Sequence, residues 1–328
     1  MGSKGRFRYL DASGERIVDE ERLARIRALV IPPAWRDVWI APSASSKLQA
    51  TGVDAAGRKQ CLYHPSYRAQ QEAAKYDKLI RFAEGLPTLR EAMAVDMDVD
   101  GLPYERVAAM AARLINLGWF RVGSDRYART SRTFGITTLT KRHVEVRGSR
   151  ISFRYRGKHR IMVRSAIVDA DLAAAVRELR ALPGSRLFRY ECDDGFANLH
   201  ARRLNDYIRE HLGEEFTAKD FRTWGGTLTA AIALAEAGPP ETETEAKRKV
   251  AAVMRQVADK LGNTPAVARA SYVSPAVVEQ YLDGRTLEDF RPRHLRVVGA
   301  RDVDLSREEQ ALLSLLRSYR IRRAREAA

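Results

Sequence analysis

The chain has 328 residues, enough for two domains that each hold a core, and its 45% hydrophobic and 30% charged content is that of an ordinary globular protein. Two cysteines, Cys61 and Cys192, stand in no C-x-x-C pattern and argue against a disulfide framework or a structural zinc site; no run approaches the roughly 18 apolar residues of a membrane span. Net charge is +15 and the isoelectric point about 10.0, a bias that solubility does not require and that points to a polyanionic partner.

Residues 1–72 read as a small α+β unit. Asp19 is placed to cap an amphipathic helix running to Val30, which Ile31-Pro32-Pro33 stops. Strand-like runs follow at Trp35–Ala41 and Leu48–Ala50, and Gly57-Arg58-Lys59-Gln60 turns into Cys61-Leu62-Tyr63. From Pro65 the pattern becomes helical, with a domain boundary expected near residue 72 and the second domain over 73–328. Pro103 opens a helix that is apolar at Val107, Met110, Ala111, Leu114 and Ile115, and Gly118 ends it.

Three period-2 segments come next: Phe134–Leu139, Val144–Val146 continuing into Ile151–Tyr155, and Ile161–Arg164. They predict a small antiparallel sheet with Gly157-Lys158 in its last turn. Helices are expected over Leu172–Leu182, Ala201–Leu212, Lys219–Ala235 and Lys247–Leu261, the last closed by Gly262. Between the last two, Ala237-Gly238-Pro239-Pro240 and Glu241–Glu245 read as a polar break. A final helix from about Ser306 is expected inside a basic extension over 290–328, whose only assignable role is extra basic contact.

The positive charge is concentrated. From Arg121 to Arg164 there are 13 Lys/Arg against two acids, Asp125 and Glu145, so this stretch carries +11 of the +15. A solvated face would mix both signs, and a one-signed stretch inside a folded region suits a row of phosphates better than an anionic membrane. The polar, basic amino terminus does not read as a signal peptide, so a reducing, cytoplasmic setting is expected.

Five polar residues, in order along the chain, could attack a phosphodiester without a metal. Planar guanidiniums match the non-bridging oxygens with paired donors, which suits Arg121 and Arg222; a neutral donor such as Asn263 completes a clamp. A leaving 5′-oxygen needs a proton, which Lys158 can supply. A tyrosine, Tyr272, can form a phosphodiester that keeps the bond energy. Taken singly, each has an ordinary reading: Arg121 as a helix-end cation, Lys158 as an exposed turn lysine, Arg222 as a surface arginine, Asn263 as part of a cap, Tyr272 as core. Their joint order and local motifs carry the argument.

Those motifs resemble the type IB DNA topoisomerases of the small poxvirus-like kind that also occurs in bacteria. The resemblance runs from about residue 16 to about 282. It rests on Ile31-Pro32-Pro33-Ala34-Trp35, Ala50-Thr51-Gly52-Val53-Asp54, Gly57-Arg58-Lys59-Gln60, Phe120-Arg121-Val122-Gly123, the Gly135–His143 segment, Gly157-Lys158, Lys219-Asp220-Phe221-Arg222-Thr223-Trp224-Gly225 and Leu261-Gly262-Asn263-Thr264-Pro265. It implies an α+β fold: a bilobed clamp with a small N-terminal antiparallel β domain and a larger, mostly α-helical catalytic domain carrying a three-stranded sheet. It implies that Arg121 and Arg222 hold the scissile phosphate, Asn263 donates to it, Lys158 protonates the 5′-oxygen, and Tyr272 forms a 3′-phosphotyrosyl link. Lys219 and Tyr127 match positions that support the site or flanking phosphates. Arg58, Lys59, Gln60 and Tyr63 lie where the N-terminal domain touches DNA. The implied partner is duplex DNA, the protein a monomer, and neither ATP nor a metal is expected.

Two departures stand out. Asn263 replaces the histidine of many relatives and donates without titrating. Cys61 replaces an aromatic DNA contact of the viral relatives, so their sequence selectivity does not carry over. Two rival readings remain at this point. A tyrosine recombinase uses a similar Arg, Lys, Arg and Tyr set, but usually carries His-x-x-Arg where this chain has Lys219-x-x-Arg222, and usually has a helical N-terminal domain. A non-catalytic DNA-binding protein suits the basic stretch but leaves the ordered polar set unexplained.

Overall fold

The computed structural model describes residues 7–291 and 303–326. The chain divides into two compact units, Met1–Tyr76 and Asp77–Ala328, and is α+β throughout. Part of the basic extension, residues 292–302, lies outside the described residues. No helix among those described is long and apolar enough to cross a membrane.

In the first unit, Asp19 caps α1 (Glu20–Ala28) by accepting the Arg22 amide at 2.8 Å, as its spacing predicts. An antiparallel sheet follows in the order β1 (Arg36–Ile40), β2 (Leu48–Val53), β3 (Lys59–Tyr63). Gly52 is required in β2, because a Cβ there would sit 2.7 Å from the Trp35 ring. Arg25 joins α1 to the loop before β2, donating to the carbonyls of Pro42 and Ser43 and to Gln49 Oε1. The β2–β3 turn is organised by Asp54. Its carboxylate accepts from the Arg58 guanidinium, the Arg58 and Ala56 amides and the Gln60 side chain; the Arg58 guanidinium first, then the two amides, bring its pKa down to about 2.

The long helix α2 (Pro65–Met97) is followed in the second unit by α3 (Tyr104–Gly118), whose Val107–Ala112, Leu114 and Ile115 are fully buried. Then come α4 (Asp125–Thr130) and a sheet in the order β4 (Val144–Arg147), β5 (Arg150–Arg156), β6 (Met162–Val168). Alternation sends Val144, Ile151, Phe153, Tyr155 and Ile167 into the core and leaves Arg150, Arg154, Arg156 and Arg164 exposed; Arg154 faces Arg164 directly across the ladder.

The three strands differ from those expected. Phe134–Leu139 is not a strand but contains a 3-10 turn, Ile136–Thr138. Ile136, Thr137, Thr138 and Leu139 are all buried, so period-2 alternation had no solvent side to report. Their backbone is satisfied elsewhere: the Ile136 and Thr137 amides donate to Arg121 O and Val122 O, and Phe134 N donates to Arg156 O. The segment read as one strand over 144–155 folds back at Gly148 (φ +54), which divides it into β4 and β5.

Helix α5 (Ala170–Ala181) leads to a hairpin the sequence pattern missed, β7 (Arg189–Cys192) and β8 (Gly195–Asn198), then α6 (Ala201–Leu212) and α7 (Ala218–Ala237). Helix α8 (Glu243–Leu261) begins inside the stretch expected to be a loop. Thr242 caps it, and Glu243 and Glu245 pair with Lys247 and Lys249 one turn on. Acidic residues are favourable in a first helical turn, so local polarity marked a helix start rather than a break. Short helices α9 (Pro265–Ser271) and α10 (Pro275–Leu282) each open on proline. Finally α11 (Arg307–Glu326) buries Ala311, Leu312, Leu313, Leu315 and Leu316. Its Arg317 and Arg322 pair with Glu84 and Asp283, so this helix is packed into the unit rather than held out as a basic arm.

Asp169 both caps α5, accepting the Leu172 amide, and pairs with Arg113 of α3 at 2.7 Å while its side chain is 9% exposed. Removing it strands a mostly buried guanidinium. Asp169→Ala is expected to lower stability by about 3 kcal/mol, measured by urea unfolding, with little change for Asp171→Ala on the same turn.

Candidate active site

Helix α3 ends at Trp119, which takes the left-handed conformation (φ 49, ψ 35) that tryptophan seldom adopts. The turn has a use. Trp119 O accepts Arg222 Nη1 at 2.5 Å, and its indole lies against α7 where a Cβ on Gly225 would be 2.2 Å away. Lys260 stands 4.6 Å over the same ring. Two residues on, Arg121 is delivered beside Arg222.

Both guanidiniums converge on the C-terminus of α8. Leu261 O accepts Arg121 Nη1 at 3.1 Å and Arg222 Nη2 at 2.7 Å. Arg121 Nη2 also donates to Gly262 O at 3.3 Å and to Asn263 Oδ1 at 2.6 Å. A helix C-terminus carries partial negative charge and unsatisfied carbonyls, so it is a natural seat for two cations. Gly262, at φ +60, closes the helix and turns the chain into Asn263. Arg222 is only 5% exposed; burial and the neighbouring Arg121 charge both pull its pKa down, while Tyr272 works the other way.

Tyr272 follows α9, whose Thr264 cap accepts the Val267 amide. Its half-buried ring lies 5.1 Å from the Arg222 guanidinium carbon. Burial would raise the phenol pKa. The Arg222 charge and hydrogen bond, with Arg121 and Lys219 behind them, outweigh that and lower it. A phenol held below ordinary tyrosine, two arginines and an amide therefore share one spot. Asn263 Nδ2 is buried and has no hydrogen-bond partner among the described residues, which leaves a donor for an incoming acceptor.

Lys158 is placed differently. It is exposed in the 3-10 turn Lys158–Arg160 between β5 and β6; its carbonyl accepts the Ile161 amide at 3.3 Å, and its side chain forms no hydrogen bond or ion pair among the described residues. His159 (φ +59) and Arg160 (φ +60) are both left-handed, which gives the tip a strained shape beside the lysine. Tyr127 on α4 and Lys219 at the start of α7 are exposed. In the first unit, alternation along β3 puts Lys59 and Tyr63 on its exposed face and Gln60 on the other, held by Asp54. Arg58 is also engaged with Asp54. Cys61 lies on the Tyr63 face, and its bond to the Tyr63 hydroxyl raises that phenol's pKa.

Three contributors were not picked out from sequence. Thr227 donates to Tyr272 O and accepts the Ser274 amide, both at 3.1 Å, so it anchors the backbone as it leaves Tyr272. Gly226 makes room for it, since a Cβ there would lie 2.8 Å from Tyr272 O. Tyr155 is buried beneath the site, and burial raises its pKa against the opposing charges of Arg222 and Arg121. The glycine pair 225–226 inside a helix was the available signal for close approach. Among the described residues no group of three His, Cys, Asp or Glu side chains is gathered as for a metal.

The family model of the eukaryotic DNA topoisomerase I catalytic core matches residues 64–287, and that of the bacterial DNA topoisomerase IB N-terminal domain matches residues 6–54. The chain belongs to the type IB DNA topoisomerase family. It is 33% identical to the DNA topoisomerase 1B of Acanthamoeba polyphaga mimivirus over 288 residues, 85% of each chain. The DNA topoisomerase I of monkeypox virus and the DNA topoisomerase 1B of vaccinia virus (strain Copenhagen) are each 20% identical over 248 residues, 75% of this chain and 76% of theirs. As a member of this family the protein is an enzyme, an isomerase.

Two outcomes follow from the geometry. With tyrosines labelled at 13Cζ and Tyr272→Phe for assignment, Tyr272 is expected to titrate below free tyrosine, and Arg222→Ala is expected to move it upward. A Tyr272 titration unmoved by Arg222→Ala would show that the guanidinium does not set the phenol's acidity. Gly225→Ala is expected to displace Trp119 and lower activity at least tenfold, of the order seen when reacting groups shift by about 1 Å, with the change followed through Trp119 fluorescence.

Proposed function

We propose that the protein relaxes supercoiled duplex DNA by cutting and resealing one strand through Tyr272. The observation that carries this reading is the convergence of Arg121, Arg222, Asn263 and Tyr272 on the α8 C-terminus. In the forward step the Tyr272 phenol gives its proton to solvent water, its oxygen attacks phosphorus, and the bond from phosphorus to the 5′-oxygen breaks. The 5′-oxygen takes a proton from Lys158, with Arg121 assisting, and leaves as a hydroxyl. The 3′-phosphate remains joined to Tyr272. Arg121, Arg222 and the Asn263 amide neutralise charge on the non-bridging oxygens. The free 5′ end swivels, stored torsion drives the change in linking number, and the reverse reaction reseals the strand. Neither ATP nor a metal enters, because the phosphotyrosyl bond keeps the bond energy and the guanidiniums take the role of a cation.

On this reading the two units clamp duplex DNA, the first through Arg58, Lys59, Gln60 and Tyr63, the second through Tyr127, Lys219 and the hairpin tip. The exposed arginine face of β5 and β6 supports a partner rich in phosphate, and affinity should fall steeply with salt. The enzyme acts as a monomer in the cytoplasm, at the nucleoid.

The test is relaxation of negatively and positively supercoiled plasmid in EDTA without ATP. The parent is expected to relax both signs, and Tyr272→Phe to bind plasmid and relax neither. A parent that binds plasmid and leaves its topology unchanged would sink the reading in favour of a DNA-binding protein, and strand exchange between two defined sites would favour a recombinase.

The role of Lys158 has its own test. Lys158→Ala is expected to slow cleavage about 100-fold or more, within the usual range for general acid catalysis. A 5′-bridging sulfur, which leaves without a proton, should restore the rate; persistent slow cleavage of that substrate would remove Lys158 from the role of acid.

A further inference from the structure

Glu309, in the first turn of α11, is 7% exposed and lies outside residues 64–287, which the catalytic-core family model covers. Its carboxylate is saturated. Arg90 of α2 donates to both oxygens, at 2.7 and 3.0 Å, Trp224 Nε1 donates at 3.1 Å, and the Ser306 amide at 2.9 Å. The bond to Arg90 overcomes the effect of burial and keeps the group ionised. Arg90 reaches on to Asp304 O at 2.8 Å and to Asn116 Oδ1 at 3.4 Å.

The partners sit on the two helices that deliver the catalytic arginines. Asn116 lies in the last turn of α3, just ahead of Trp119 and Arg121. Trp224 lies on α7, two positions after Arg222 and next to Gly225, on which Trp119 rests. A buried, bidentate ion pair fixes geometry more narrowly than apolar contact does, because its donors and acceptors admit few arrangements.

We propose that Glu309 is a positioning residue for strand cleavage, tying α3 and α7 through Arg90, Asn116 and Trp224 so that Arg121 and Arg222 are held in register. The C-terminal helix is then part of the catalytic machinery rather than an added DNA contact. This inference rests on the cleavage reading given above.

The experiment compares Glu309→Gln, which keeps shape and one acceptor but loses the charge, with Trp224→Phe, which keeps a buried aromatic ring and loses the N–H donor together with some ring volume. Single-turnover formation of the Tyr272–DNA adduct, noncovalent DNA affinity and thermal midpoint are measured for each, well below the midpoint. Adduct formation is expected to slow about tenfold to a hundredfold, with affinity within about twofold of the parent. The chain has four tryptophans, so the indole N–H signals in a 1H–15N spectrum are few. Glu309→Gln is expected to shift Trp224 and also Trp119, whose indole rests on Gly225 and forms no hydrogen bond with the Glu309 cluster among the described residues. The proposal is overturned if folded variants cleave at the parental rate, if lost cleavage only tracks a lost folded fraction, or if Trp119 stays in place while Trp224 moves. A parent that forms no adduct overturns the cleavage reading instead, and the Trp119 shift then still reports whether Glu309 governs the helix pair. If Glu309→Gln does not fold, Trp224→Phe decides alone on the same rate, affinity and Trp119 criteria.

Discussion

One carbonyl organises the site. Leu261 O, at the end of α8, accepts a hydrogen bond from each of two guanidiniums that approach from different helices. Two arginines side by side repel, and one of them is almost fully buried. They stay together because the helix end offers carbonyls and partial negative charge that no side chain need supply. A neutral helix terminus also leaves the pair's net charge intact, whereas a carboxylate in the same place would cancel it before a phosphate arrived. The arrangement thus binds the arginines without spending their charge.

The surrounding elements can be read from that point outward. The left-handed turn at Trp119 sends Arg121 back toward α8 and hands a carbonyl to Arg222. The glycines at 225 and 226 let Trp119 and the Tyr272 backbone press against α7, at a cost in helix propensity of about 1 kcal/mol each. Thr227 then holds Tyr272 O and Ser274 N, on either side of Val273, so Tyr272 is fixed by backbone while its ring answers to the Arg222 charge. The cluster of Arg121, Arg222, Asn263 and Tyr272 rests on backbone held by helices, whereas Lys158 is exposed on a hairpin.

Much of this was legible in the sequence, and the parts that were not share a cause. Arg121, Arg222, Asn263 and Tyr272 stand in local motifs, so their type and order survive without coordinates. Helix ends were readable where a cap or glycine marks them, as at Asp19, Gly118 and Gly262. The pattern failed at 134–139, where residues buried in succession around a 3-10 turn were read as a period-2 strand, and at 241–245, where acidic residues that favour a helix start look like a loop. It also passed over Trp119, Thr227 and Glu309, because their contributions are a carbonyl, a backbone bracket and a contact with Arg90, 219 residues earlier in the chain. None of these leaves a mark on the residues adjacent in sequence.

The tip of the β5–β6 hairpin has a consequence of an entropic kind. Two consecutive left-handed residues, His159 and Arg160, confine the backbone beside Lys158 to a narrow shape that neither side chain favours. A tip already so confined has few conformations left to surrender, so on the proposed reading, in which DNA engages it, the strain carried in the unbound protein reduces the ordering that binding must impose. Glycine at either position would ease the backbone and at the same time give the lysine a wider arc to search.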